Sequence, residues 1–155
     1  MTGWRIGYLS APKEIAAAIN RVQSQTTSNA CSFCQVASVT ALTEQNDAVE
    51  KMRLSFDERR KYIMQRVSRL NFDYIEPKGA FYLFMDISKC IGKAYNGKII
   101  NDSVDFSKIL TEYGVAVIPG KPFYADNFVR FSYAVALKDI EEGFNRIENF
   151  IKELL

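Results

Sequence analysis

The sequence contains no histidine, and this absence excludes several kinds of catalytic site. Ser-His-Asp and Cys-His relays need an imidazole as base, and imidazole metal sites need its ring nitrogen. Only three cysteines are present, Cys31, Cys34 and Cys90, and an odd number does not favour a disulfide framework. We therefore predict free thiols and no metal site.

The chain also lacks a long apolar run and an excess of one charge. No stretch approaches the roughly 20 apolar residues that cross a bilayer, and no signal core follows Met1. Twenty Lys and Arg oppose eighteen Asp and Glu, for a net charge of +2, with both signs interspersed. These features predict a soluble, cytoplasmic protein with no nucleic-acid or membrane partner.

What is present is a change of apolar spacing along the chain, from the period of helices to that of strands and back. Helices are predicted over about 12–23, from near Gln35, over 46–70 with Asn46 as N-cap, from Ser103 to Gly114, and over 140–154. Strands are predicted over 4–9, 80–87, 115–118 and 128–134, and 89–102 is predicted as an exposed connection. This order predicts an α/β chain with an α+β-like part, in which helices cover a small, mostly antiparallel sheet.

The predicted strand 128–134 alternates two sets of residues. Val129, Phe131 and Tyr133 share one face, whereas Arg130 lies on the other beside Phe128. Burial of an arginine is costly unless an anion pairs with it. We expect Arg130 to bind a carboxylate, and the alternative is an exposed edge-strand arginine paired with a surface acid.

The segment Cys31-Ser32-Phe33-Cys34 has the spacing of a redox or metal site. A redox pair of the thioredoxin type would begin a helix after a strand, and zinc would need a fourth ligand. The favoured interpretation of this pair is therefore structural.

The first eight residues read MTGWRIGY. By composition, Arg5 between two glycines is typical of a solvated edge-strand arginine. The octapeptide resembles the segment that directly follows the cofactor-bearing lysine in class I aminotransferases, written S-K-x-x-A-M-T-G-W-R-I-G-Y. This resemblance implies that Arg5 pairs with the phosphate of pyridoxal 5'-phosphate (PLP), a role suited to a planar guanidinium. It also implies that the Schiff-base lysine precedes Met1, so that this chain contains no catalytic residue.

Further stretches resemble the same fold type I, aspartate aminotransferase family. The segment 77–84 is similar to the family's P-x-G-A-F-Y-x-F, and 117–123 with 129–134 is similar to its P-G-x-x-F and R-x-S-x-A pair. The resemblance implies that Arg130 binds the substrate α-carboxylate. The chain departs from the family at Tyr124, where relatives often have glycine.

A polar stretch, Thr27-Ser28-Asn29 with Gln35, resembles the family's loop that reaches toward the active site of the neighbouring subunit. The resemblance implies that Ser28 and Asn29 contribute to a partner's site in a homodimer. The two glycines Gly79 and Gly120 fit sharp turns, and a structural role is favoured for both.

The resemblance implies a division into 1–45, a helical remnant of a large PLP-binding domain, and 46–155, a C-terminal small domain. It implies a transaminase that moves an amino group between an aspartate-like amino acid and a 2-oxo acid, with the isolated chain inactive. Two alternatives stay open: a carbon–sulfur lyase, aminocyclopropane-carboxylate synthase or related PLP enzyme of the same fold, and a non-catalytic binding or dimerisation module.

Overall fold

A computed structural model describes residues 2–44 and 47–154. The chain divides into two compact units, Met1–Asp47 and Ala48–Leu155. The predicted N-cap Asn46 lies outside the described residues. Within the described part of the chain, no helix combines the length and the apolar character that crossing a bilayer requires.

The first unit contains two helices, α1 (Lys13–Thr26) and α2 (Ser32–Thr43), preceded by a 3-10 turn at Thr2–Trp4. Helix α1 runs three residues past the predicted end, because Ser24 and Thr26 hydrogen-bond back to carbonyls of the preceding turn. Serine and threonine hydroxyls often compete with the hydrogen bonds of a helical backbone. In α1 they instead donate to carbonyls of the last turn and stabilise it.

The strand predicted over 4–9 is wrong. Arg5 has a φ of 51°, a left-handed conformation that interrupts an extended backbone. None of the strand pairings among the described residues involves this segment, so it also lacks the ladder that a strand needs. Two glycines and an aromatic residue suggested a strand, but pairing decides strand formation.

The second unit contains three helices, α3 (Ala48–Arg69), α4 (Ser103–Glu112) and α5 (Leu137–Glu153). All three were predicted to within a few residues. The N-cap of α4 is Asp102, whose side chain accepts hydrogen bonds from the amides of Val104 and Asp105. The helix ends at Glu112, and Gly114 follows its C-cap residue Tyr113 with a φ of 84°, which suits glycine.

The main sheet is antiparallel, with the order β1-β2-β6-β5. Its strands are β1 (Tyr74–Ile75), β2 (Tyr82–Asp86), β5 (Ile118–Pro119) and β6 (Phe128–Ser132). The predicted small antiparallel sheet covered by helices is thus confirmed, but β5 is shorter than predicted, because only Ile118 and Pro119 pair with β6 and residues 115–117 lie outside the strand. Strand β1 was not predicted.

The connection 89–102, predicted to be exposed, contains a hairpin of β3 (Ala94–Tyr95) and β4 (Lys98–Ile99). Its turn is Asn96-Gly97, with φ of 47° and 76°, the dipeptide typical of tight hairpins. Cys90 and Ile100 beside the hairpin are buried. Most of the segment is exposed as predicted, but the hairpin and the two buried residues were missed, because few large apolar residues mark this segment.

The core of the second unit lies between one face of the main sheet and the helices. The buried side chains include Ile63, Val67, Leu83, Met85, Phe106, Leu110, Val129, Phe131, Phe144, Ile147 and Phe150. Val49 and Met52, apolar residues near the start of α3, are 69% and 52% exposed. Only the later turns of α3 therefore contribute to this core.

Arg66 joins α3 to α5 and is 6% exposed. Its Nη2 donates to Oε1 of Glu148 at 2.7 Å and to Oδ1 of Asn145 at 2.8 Å, and its Nη1 donates to the hydroxyl of Tyr62 at 2.9 Å. The guanidinium also lies 5.7 Å from the ring centroid of Phe144. Arg66 thus links α3 to α5 through side-chain hydrogen bonds.

We expect Arg66→Ala to lower the free energy of unfolding by about 2–3 kcal/mol, measured by urea denaturation followed by circular dichroism. The loss stays below the roughly 3–5 kcal/mol of a fully buried broken pair, because the Glu148 side chain is 33% exposed. Arg53→Ala is the matched control, since Arg53 pairs with Glu50 at the same 2.7 Å but at an exposed position. Its effect should be much smaller than that of Arg66→Ala, because exposed ion pairs contribute little to stability. Equal losses in the free energy of unfolding for the two variants would contradict a stabilising role of the buried Arg66 contacts.

Candidate functional site

Arg130 lies in an inner strand of the main sheet. In the register it stands opposite Phe84 of β2 and Ile118 of β5. Val129 and Phe131 are buried against the helices, and Arg130 lies on the opposite face as the alternation predicted. The alternative of an edge-strand arginine is excluded, because β6 has a neighbour on each side.

Two aromatic rings enclose the guanidinium of Arg130. Its Cζ lies 4.3 Å from the ring centroid of Tyr82 and 4.6 Å from that of Phe123. Phe84 supports Phe123 edge to face, with 5.7 Å between centroids. Each ring attracts the cation by roughly 0.5–2 kcal/mol, so the pair holds the guanidinium plane in position without neutralising its charge.

The charge of Arg130 has no acidic partner among residues 2–44 and 47–154. Its Nε is buried and donates to no hydrogen-bond acceptor there, and none of the ion pairs of the described residues includes it. Asp86, on the same face of β2, is engaged by the amide and hydroxyl of Ser88. A half-buried guanidinium in this state favours an anionic ligand, and a carboxylate matches its fork.

Arg5 lies in the first unit, just after the 3-10 turn, and is exposed. The positions that Cβ atoms would take on Gly3 and Gly7 have no atom of the described chain within 4 Å. A permanently charged planar donor set fits a phosphate dianion. Arg5 thus contributes a donor set of the kind that binds anionic oxygen groups.

Ser28 and Asn29 lie in the five-residue loop between α1 and α2, and both are exposed. Ser28 adopts a left-handed φ of 62°, and the amide of Asn29 donates to the carbonyl of Thr27 at 2.8 Å. Gln35 reaches back from α2 and donates through Nε2 to the carbonyl of Ala30, also at 2.8 Å. The loop is thus a formed turn that presents two polar side chains outward.

Gly120 begins the turn that carries Phe123, one of the two aromatic residues against Arg130. This role was not predicted from the sequence. Gly120 precedes the 3-10 turn Lys121–Phe123, and its amide donates to the carbonyl of Phe128 at 2.7 Å. A Cβ at Gly120 would lie 2.1 Å from the carbonyl oxygen of Ala125. Gly79 has no such close contact. Tyr124 takes a left-handed φ of 56°, which explains why glycine suits position 124.

The roles of Tyr82 and Phe123 also escaped the sequence analysis, although both lie in the recognised motifs. The strand alternation could have found Tyr82, since it shares the face of Phe84 and Phe84 pairs with Arg130. Phe123 sits in a turn and had no such signal. For metals, no group of three or more ligand side chains exists within the described ranges.

The chain is similar to known aminotransferases along almost its whole length. The profile of the family described as "Aminotransferase class I and II" matches residues 1–147. A probable aspartate/prephenate aminotransferase of Rickettsia bellii is 41% identical over 151 residues, which are 96% of this chain and 38% of that protein. An aspartate aminotransferase of Streptomyces avermitilis is 38% identical over 155 residues, 99% of this chain and again 38% of the relative.

The fold is similar as well. The crystal structure of an aspartate aminotransferase from Rhizobium meliloti matches with a TM-score of 0.91 and 37% identity, covering 100% of this chain and 40% of that one. The chain therefore spans about two fifths of the length of these relatives.

Proposed function

Since the chain belongs to the class I and II aminotransferase family, we propose that it is the C-terminal part of a PLP-dependent aminotransferase. The full-length enzyme would transfer an amino group between an aspartate-like amino acid and a 2-oxo acid. The names of the relatives from Rickettsia bellii and Streptomyces avermitilis support aspartate as a donor. The observation that carries the proposal is the guanidinium of Arg130, enclosed by two rings and without an acidic partner among the described residues.

In this proposal, Arg130 binds the α-carboxylate of the substrate through two parallel hydrogen bonds. Tyr82 and Phe123 fix the plane of the guanidinium before the substrate arrives, which reduces the ordering cost of binding. The two rings also shield the guanidinium of Arg130 from water. Charge-assisted hydrogen bonds are stronger where water is excluded. Arg5 holds the phosphate of the cofactor. PLP supplies the electron sink that transamination requires.

We assign residues 1–45 to the large PLP-binding domain and residues 46–155 to the small domain of the full-length enzyme. The boundary between the two compact units, near residue 47, supports this assignment. Because the catalytic lysine of the family pattern stands four residues ahead of the MTGWRIGY segment, we place it outside this chain. A homodimer, in which Ser28 and Asn29 face the partner's site, and a cytoplasmic location complete the proposal.

We expect the full-length protein with PLP to convert aspartate and 2-oxoglutarate to oxaloacetate and glutamate, measured by coupled oxidation of a nicotinamide cofactor. The 155-residue chain alone should show no turnover. The Schiff-base lysine and the residue that pairs with the pyridine nitrogen of PLP would both be absent from it. Turnover by the chain alone would refute the placement of the lysine. Release of ammonia and a 2-oxo acid from a sulfur amino acid, without glutamate formation, would instead indicate a lyase.

A further inference from the structure

Tyr133 holds two consecutive carbonyls of the chain that enters β2. It directly follows β6 and is 1% exposed, on the core side of the sheet. Its amide donates to the carbonyl of Phe81 at 2.9 Å, and its hydroxyl donates to the carbonyl of Ala80 at 3.2 Å. The next residue is Tyr82, whose ring encloses the guanidinium of Arg130 from one side. The proposed function gives the hydroxyl of Tyr133 no role so far.

Ala80 adopts a conformation that an alanine does not favour by itself. Its φ is 55°, in the left-handed region where the Cβ of an L-residue crowds the following carbonyl oxygen. Rotation about this bond also moves the carbonyl of Ala80, so the hydrogen bond from Tyr133 restrains the rotation. Burial raises the pKa of Tyr133, and its hydroxyl therefore stays protonated and able to donate at neutral pH. The hydrogen bond thus stabilises an otherwise unfavourable turn.

A chain of packed rings links Tyr133 to Tyr82. The ring centroids of Tyr133 and Phe56 lie 6.5 Å apart, edge to face, and Phe56 stacks on Phe81 with 6.0 Å between centroids. The centroid of Phe81 in turn lies 4.5 Å from that of Tyr82. Closely packed side chains transmit small displacements. A change in the backbone at Ala80 is therefore passed on to Tyr82 through Phe81.

The position of Tyr82 depends on where the chain enters the sheet. Tyr82 is the first residue of β2 and stands opposite Ser132 of β6. Later residues of β2 also pair with β1, at Phe84 and Met85, so Tyr82 is restrained less by the ladder than they are. Its ring centroid lies 4.3 Å from Cζ of Arg130. A shift at the start of β2 thus disturbs this contact first.

We propose that the hydroxyl of Tyr133 positions the ring of Tyr82 on the guanidinium of Arg130, by holding Ala80 in its left-handed conformation. The inference rests on the proposed function, in which Arg130 binds the substrate carboxylate. Tyr133 lies on the opposite face of the sheet and acts only through Tyr82, so it is a positioning residue. Arg130 holds the carboxylate in the ground state and in the transition state alike. A misplaced ring therefore weakens substrate binding and leaves the chemical step unchanged.

The first test is Tyr133→Phe in the full-length protein, which removes the hydroxyl and keeps the ring with its packing. We expect KM for aspartate to rise by roughly three- to tenfold, as for the loss of one hydrogen bond, while kcat stays within about twofold of the parent. Steady-state kinetics at saturating 2-oxoglutarate measures both constants. An unchanged KM, or a loss confined to kcat, overturns the proposal.

Tyr113→Phe is the matched control for this variant. Its hydroxyl also donates one hydrogen bond, to Oε1 of Glu153 at 2.7 Å, where α4 and α5 end. Removing it leaves β2 and Arg130 untouched, so both KM and kcat should match those of the parent. An equal rise in KM for Tyr113→Phe and Tyr133→Phe would contradict a specific role of the Tyr133 hydroxyl.

A double-variant cycle separates the proposed route from a general loss of stability. Tyr82→Leu removes the ring through which Tyr133 acts. In this background, Tyr133→Phe should raise KM by less than about twofold further, because residues that act as a unit are not additive. An equal further rise in KM in the two backgrounds shows that Tyr133 acts independently of Tyr82 and overturns the proposal.

A crystal structure of full-length Tyr133→Phe tests the positioning without an activity assay. We expect Ala80 to leave the left-handed region and the ring of Tyr82 to move from Arg130 by about 1 Å, a displacement large enough to disturb a binding geometry. If the parent shows no transamination, the proposed function fails, but a displaced Tyr82 still supports the positioning. If the parent is active and Ala80 and Tyr82 keep their places in the variant, the positioning fails and the proposed function stands.

Discussion

Replacing Arg130 by alanine in the full-length protein is expected to lower kcat/KM for aspartate by roughly 100- to 1000-fold. The variant removes a guanidinium held between Tyr82 and Phe123, so that a substrate carboxylate would be buried without its charged partner. Truncating one partner of such a pair costs several kcal/mol. Steady-state kinetics with aspartate and 2-oxoglutarate measures the effect.

Two further variants make this result specific. Arg130→Lys keeps the charge but loses the fork and the stacked plane, so we expect it to recover only part of the activity. Arg53→Ala removes an exposed arginine of α3 that pairs with Glu50, and its kcat/KM should match that of the parent. A loss of less than about fivefold for Arg130→Ala, against the losses of 2 kcal/mol or more that a buried pair predicts, would exclude a role for Arg130 in carboxylate binding.

The second large effect is expected for Gly120→Ala, which should destabilise the second unit by about 3 kcal/mol or more. The new Cβ would stand 2.1 Å from the carbonyl oxygen of Ala125 and 2.5 Å from that of Phe128. Both are backbone atoms in the turn that leads into β6, so relief requires the turn to move. Urea denaturation followed by circular dichroism measures the loss.

Gly143→Ala is the matched control for this variant. Gly143 lies inside α5, and no atom lies within 4 Å of the position that its Cβ would occupy. Alanine reduces the entropy lost on folding at a helical position, so we expect a gain of roughly 0.5–1 kcal/mol. If Gly120→Ala lowers the free energy of unfolding and Gly143→Ala raises it, the difference is due to the space around each glycine. An unchanged stability for Gly120→Ala would contradict the short distances from its Cβ position to the two carbonyl oxygens.

Local pattern was sufficient for most of the elements. The apolar period identified α3, α4 and α5, and the alternation of 128–134 placed Val129 and Arg130 on opposite faces of β6. Both patterns reflect the geometry of one segment, so neighbours along the chain are enough to reveal them. Predictions that needed a partner segment failed, as for the strand over 4–9 and for the hairpin of β3 and β4.

The candidate site shows the same division. The residues around Arg130 could be recognised as motifs in the chain, and with them the family and the kind of ligand that an arginine on a strand favours. Long-range packing was needed to bring Tyr82 and Phe123, 41 residues apart in the numbering, to the two sides of one guanidinium. It was also needed to bury Arg66 between two helices. These features depend on contacts between segments distant in sequence or on where a loop ends, and the free energies of such contacts do not appear in the period of any single segment.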